Sequence, residues 1–144
     1  MEIRIRRQLT GAQLRGEILR EYGSQKELAR LAKKGDADAK DALFNLRRFE
    51  EDPKRLKLDV RVDDVMLLDE NDLSQLTWTR LHVLEVLRKL GEANVKQLTA
   101  ALKRDPKNVS EDVACLMEYG LVTGHKHGKE KRLQPAGNQI LIAV

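Results

Sequence analysis

The chain has 144 residues, 41% hydrophobic and 35% charged, with a formal net charge of +4. That composition suits one folded domain or two small ones and excludes an extended disordered tail. Aromatics at 3% argue against a single-stranded RNA reader built on base stacking, and the single Cys115 excludes an internal disulfide.

No stretch approaches a membrane span, and Met1-Glu2-Ile3-Arg4 lacks the apolar core of a signal peptide, so a cytoplasmic protein is expected. Charge is unevenly distributed. Residues 1–50 carry 12 basic and 8 acidic side chains, residues 51–76 carry 4 and 8, and residues 77–144 carry 11 and 7. The acidic middle falls where a domain boundary is expected, with an N-terminal α/β segment over 1–72 and a second domain over 73–144.

Glu2 to Arg6 alternates and predicts a short strand. Leu14, Ile18, Leu19 and Tyr22 form a helical stripe that Gly23 ends. Ser24 and Glu27 have capping-box spacing for a second helix with Leu28, Leu31 and Ala32 inside. A third helix runs from about Asp38 through Ala39, Ala42, Leu43, Leu46 and Phe49, and Pro53 closes the region. Leu56, Leu58, Val60 and Val62 alternate with charged residues and predict a half-buried strand that residues 2–6 could join. Asp69 to Asp72 reads as a loop or a helix start, and the carboxylates between 63 and 72 as a solvated face.

From Thr77 onward the pattern tightens. Thr77 caps a helix with Trp78, Leu81, Leu84, Leu87 and Leu90 assigned to its buried side, and Gly91 stops it. Val95, Leu98 and Leu102 give the inner face of the next helix. Asp105 caps a third, with Pro106 in its first turn. Val109, Val113, Leu116 and Met117 face its core, and Gly120-Leu121 ends it. Leu121–Lys126 and Glu130–Leu133 form a basic hairpin turning at His127-Gly128. Gln139–Val144 is a last apolar strand, packed on residues 77–90 or paired across a dimer. This order is that of a winged helix–turn–helix, so the expected fold class is α+β, mostly α: an N-terminal helical segment with short strands, then a C-terminal winged helix.

With Val109, Val113 and Leu116 inside, Lys107, Asn108, Glu111 and Asp112 are expected outside, with Ser110 at the side. Asn108 suits an adenine edge, and Lys107 a phosphate or guanine. Arg104 lies beside the helix N-terminus, where phosphate is favoured. Lys126, Lys129, Lys131 and Arg132 against Glu130 give the wing a net +3, with His127 at its turn. The candidate DNA contacts are therefore Arg104, Lys107, Asn108, Ser110, Glu111, Lys126, His127, Lys129, Lys131 and Arg132. His125 and His127 point the same way but lack a third ligand, so no metal is expected. No phosphate loop, nucleophile motif or catalytic cluster stands out. The chain reads as a binding protein without cofactor, not an enzyme.

Leu-Thr at 76–77, Gly-Glu-Ala-Asn-Val at 91–95, Arg-Asp-Pro-Lys-Asn-Val-Ser at 104–110 and Glu-Tyr-Gly-Leu-Val at 118–122 resemble winged-helix regulators related to the MarR group. The resemblance covers about half the chain and is nearest to a prokaryotic set often encoded beside small toxins. It implies a homodimeric, double-stranded DNA-binding transcriptional repressor of its own operon, acting as an antitoxin whose N-terminal half holds a toxin protein. Two positions depart from that pattern: Glu111 stands where arginine is usual and Ala114 where lysine is common. From Lys103 to Asp112 three basic residues meet three acidic ones, so the recognition segment is neutral. The alternative is a protein–protein interaction module on a winged-helix fold that has lost or weakened DNA binding.

Overall fold

A computed structural model describes residues 1–143. The last residue of the expected final strand, Val144, lies outside the described residues. The chain is a mixed α+β protein, mostly helical. It divides into two compact units. One is Gln8–Val62; the other joins Met1–Arg7 to the chain from Asp63 onward. The division thus differs from the single boundary near 72 expected from charge. Residues 1–7 belong with the C-terminal unit because their strand is paired and buried there.

In the Gln8–Val62 unit, strand β1 (Glu2–Thr10) leads into α1 (Gly11–Tyr22), followed by α2 (Gln25–Lys33) and α3 (Ala37–Glu51). Thr10 and Gln13 form a reciprocal capping box that starts α1 (3.2 and 2.8 Å). Ser24 caps α2 through the Glu27 N–H, but the Glu27 carboxylate turns to Arg30 and does not close the box. Asp36 caps α3 through the Ala39 N–H. Leu14, Ile18, Leu28, Ala32, Ala39, Leu43, Leu46 and Phe49 form the core of this unit.

The strand expected from Leu56 begins later. Pro53–Lys57 is a 3-10 turn that Asp52 caps through the Lys54 N–H, and Leu58 is 60% exposed. Proline at the turn's first position fixes a helical φ, which overrides the alternation that starts at Leu56. Gly11 admits this turn: a Cβ there would stand 2.2 Å from the Arg55 carbonyl oxygen. Strand β2 (Asp59–Leu67) runs on through Asp63-Asp64. Asp63 is therefore no solvated carboxylate. It accepts from Arg6 Nε at 3.0 Å and lies 3.7 Å from Arg4.

In the other unit the sheet order is β2-β1-β5, with β5 (Gln139–Ala143) antiparallel to β1: Ile3 faces Ile142 and Ile5 faces Ile140. The last strand is thus paired within the chain. Ile3 is fully buried in a core with Val83, Leu87, Leu98, Leu116 and Leu133. After α4 (Glu70–Gln75) come α5 (Trp78–Leu90), α6 (Val95–Leu102) and α7 (Pro106–Glu118), capped by Asp69, Thr77, Asn94 and Asp105. Lys103 takes a left-handed backbone (φ 53°) to turn α6 into α7. Gly120 (φ 69°) lets the Leu121 N–H reach the Leu116 carbonyl at 2.9 Å, and Leu121 folds into the core. The hairpin β3 (Val122–His127) and β4 (Glu130–Pro135) follows, and Ala93 makes an isolated antiparallel bridge to it, exchanging both backbone hydrogen bonds with Leu133.

The buried side of α5 is rotated from the expected one. Val83, Leu84 and Leu87 are inside, whereas Trp78 is 74% and Leu90 47% exposed. Trp78 lies nine positions before Leu87. At about 100° per residue that is the opposite side of the helix. Its ring stacks on His82, with centroids 4.9 Å apart.

Candidate nucleic-acid interface

The face of α7 follows from its core contacts. Val109, Val113 and Leu116 are at most 4% exposed, which turns Lys107, Asn108, Ser110, Glu111 and Ala114 to the outside. Asp112 does not join them. It is buried, and its carboxylate is shared between two arginines: Arg80 Nε from α5 at 3.1 Å and Arg104 Nη1 from the turn at 2.8 Å. Arg80 also donates to the Gln75 carbonyl at 2.8 Å, tying the end of α4 to the same point. Hydrogen bonding to Asp112 raises the pKa of Arg80 further.

Arg104, expected as a phosphate contact, pairs with Asp112 through its guanidinium and so clamps the turn against α7, with about a quarter of its side chain exposed. Asp112 is expected outside and lies inside, yet its spacing carries the signal. Positions 109, 112, 113 and 116 form an i, i+3, i+4, i+7 stripe that includes the carboxylate. The clamp also changes the charge balance. Once Arg80 is counted with the turn and helix, four cations (Arg80, Lys103, Arg104, Lys107) meet three carboxylates (Asp105, Glu111, Asp112). Asp105 is itself occupied in capping the Lys107 N–H at 2.8 Å.

The wing separates its charges by face. Cross-strand partners share a face, and successive residues alternate. Val122, Gly124 and Lys126 pair with Pro135, Leu133 and Lys131, so the two lysines continue the face that carries the buried Val122 and Leu133. This face looks toward α7, because a Cβ on Gly124 would meet Met117 at 3.4 Å and Lys131 Cε at 2.7 Å. Glycine at 124 therefore lets the Lys131 stem cross the hairpin. Lys126 and Lys131 are both exposed, and Lys129 sits at the tip, where Gly128 (φ 68°) opens the two-residue loop.

The opposite face is a mixed-charge network. Arg132 Nε donates to Glu130 at 3.3 Å, Asn94 also donates to Glu130, and His125 Nε2 lies 2.9 Å from Glu92. Hydrogen bonds from Asn94 and then Arg132 hold the Glu130 carboxyl below the usual range. Arg132, like Arg104, is thus engaged internally. His127 shares this face, opposite Glu130. Of the ten expected contacts, Lys107, Asn108, Ser110, Glu111, Lys126, His127, Lys129 and Lys131 are exposed, with no ion pair or side-chain hydrogen bond among the described residues.

Among the described residues, no group of three histidine, cysteine or acidic side chains could hold a metal, and no helix is long and apolar enough to cross a membrane.

A family model described as HVO_A0114 matches residues 75–141. No curated protein matches. Among solved structures, the chain is similar to a possible transcriptional regulatory protein (fragment 1-100) from Mycobacterium bovis, at 22% identity and a TM-score of 0.41, covering 46% of this chain and 76% of that one. It is also similar to a possible transcriptional regulator for arsenical resistance, at 26% identity and a TM-score of 0.40, covering 48% of this chain and 70% of that one.

Proposed function

We propose that the protein is a transcriptional regulator that binds double-stranded DNA through residues 73–144 and acts by binding, without catalysis. One observation carries this reading. α7 presents Lys107, Asn108, Ser110 and Glu111 outward, and the Lys126–Lys131 pair lies on the wing face that looks toward that helix. A helix in the major groove would read base edges through Asn108, while the wing lysines neutralise phosphates nearby. A homodimer in the cytoplasm would bind two half-sites. The resemblance of residues 76–122 to regulators encoded beside toxins supports a finer step: repression of its own operon, and capture of a small toxin by the N-terminal half.

A salt-titrated isotherm on the DNA upstream of the gene, against a scrambled duplex, tests the reading. Tighter binding to the upstream DNA with a steep salt slope is expected. The second reading, a protein-interaction module, is favoured by Glu111, whose carboxylate would repel phosphate on the outward side of α7. Absence of binding to either duplex at low salt would select it.

A further inference from the structure

The Gln8–Val62 unit contains a cleft of about 300 Å³ that the DNA reading does not use. Its inner surface is apolar: Leu14 of α1, Phe49 of α3 and Val60 of β2. Its rim carries three guanidiniums from three separate elements, Arg48 on α3, Arg55 on the 3-10 turn and Arg61 on β2, together with the Asn45 amide. Among the charged residues of the lining, three are arginines and one, Asp59, is a carboxylate. Arg55 lies 3.7 Å from Asp52, a pair with both side chains more than 40% exposed, which an incoming anion can replace at little cost. Arg48 also lies over the Phe44 ring, 5.6 Å from its centroid.

We infer that this cleft binds a small organic anion, a phosphate or carboxylate carried on a compact apolar body. The volume is at the lower end for ligand pockets, which limits the body to about one ring or a short chain. Arginine forks match planar carboxylate and phosphate oxygens, and the apolar wall rewards burial of the remainder. Inorganic phosphate would meet the rim but leave the wall empty, and a neutral molecule would fill the wall but leave the rim unused.

Backbone amide shifts of the full-length protein, titrated with phenyl phosphate, phenylacetate, benzamide and inorganic phosphate, test this. Saturable shifts at Asn45, Arg48, Phe49 and Val60 are expected with either organic anion, and whichever binds tighter identifies the headgroup. Benzamide and inorganic phosphate should each bind at least about tenfold more weakly, the first for want of a charge-assisted hydrogen bond and the second for want of apolar burial. Arg48→Gln, at an exposed position, should weaken the organic anions about tenfold without shifting the melting temperature. Equal binding of benzamide, absence of saturation, or shifts centred on Lys126 to Lys131 would overturn the inference. So would an Arg48→Gln protein that melts and binds like wild type. Should that variant fail to fold, the shift map of the wild type decides alone.

Discussion

Two side chains that look alike in the sequence do different work in the wing. Lys131 and Arg132 are adjacent cations, but Lys131 stands free on the α7 side and Arg132 is tied to Glu130 on the other. Lys131→Ala should reduce the log–log salt slope of DNA binding by about 0.9 for each phosphate that the lysine neutralises. Arg132→Ala should leave that slope nearly unchanged. Equal slopes for the two variants would show that both faces, or neither, approach the backbone. Asn108→Ala should cost about 1–3 kcal/mol of discrimination at one base position, read by comparing operators substituted singly. The Asp112 clamp makes a separate prediction about stability. Asp112→Ala removes the acceptor of Arg104 and leaves Arg80 only its bonds to Gln75 and Cys115, and both arginines are about a quarter exposed, so water replaces part of the loss. A destabilisation of about 1–3 kcal/mol is expected in denaturant melts. Adding Arg104→Ala to that variant should cost little more, because the shared partner is already gone. Additive costs would mean that Arg104 stabilises the turn by some other interaction.

At the scale of elements, helix starts are the most legible feature, because a cap is a local device. Thr77 and Asp105 act where their spacing places them, and Pro106 occupies a position where its missing N–H has no cost. Strand limits are less legible. Leu56 and Leu58 alternate like strand residues, but Pro53 winds the backbone before them, and only the tertiary pairing carries β2 across two adjacent aspartates. The stripe of α7 includes Asp112, but which arginines meet it, and which side of the hairpin faces α7, depend on the element that lies opposite and are not written in local spacing. A link between α4 and α7 is illegible for the same reason. The Tyr119 hydroxyl donates to Asp72 at 2.9 Å, across 47 positions of sequence. The Asp69 backbone N–H, and then Tyr119, hold the Asp72 carboxyl below its ordinary 3.8, while the Tyr119 phenol is pushed up to about 12, chiefly by that hydrogen bond. A depressed carboxyl stabilises the fold above 3.8 and loses that effect as pH falls through the folded value. A raised phenol stabilises it below 10 and loses the effect as pH climbs from 10 toward 12. Tyr119→Phe should therefore narrow the gap to wild type at both extremes and widen it between them, in melts across pH. A constant gap would show that the link carries no protonation dependence.

At the scale of the whole molecule, the N-terminal unit is an insertion. The Leu68 N–H donates to the Met1 carbonyl at 2.9 Å, Arg6 pairs with Asp63, and the Gly11 N–H donates to the Leu58 carbonyl at 2.9 Å, so β1 and β2 run antiparallel with their far ends at Thr10 and Asp59. Gln8–Val62 leaves and re-enters between two neighbouring strands. The strand residues Met1–Arg7 then serve the winged-helix unit: Ile3 lies in its core, and β5 has β1 as its partner. Charge composition could not reveal this, because it reports segments in sequence order while the core recruits a strand from the far end of the chain. Two expectations separate the arrangements. Ile3→Ala should destabilise the unit that contains α7 by about 2–5 kcal/mol, as for other fully buried isoleucines, although it lies some hundred residues from α7. Replacing Gln8–Val62 by a glycine-rich turn of about four residues should close β1 and β2 into a hairpin and leave a unit that melts cooperatively. That protein should keep the salt slope of the full chain on DNA. A fragment beginning at residue 73 lacks Ile3 and leaves β5 without its partner, so it should melt lower and bind more weakly than the shortened chain. Equal melting of the two would mean that β1 is a passive edge and that the boundary near 72 is the one that governs folding.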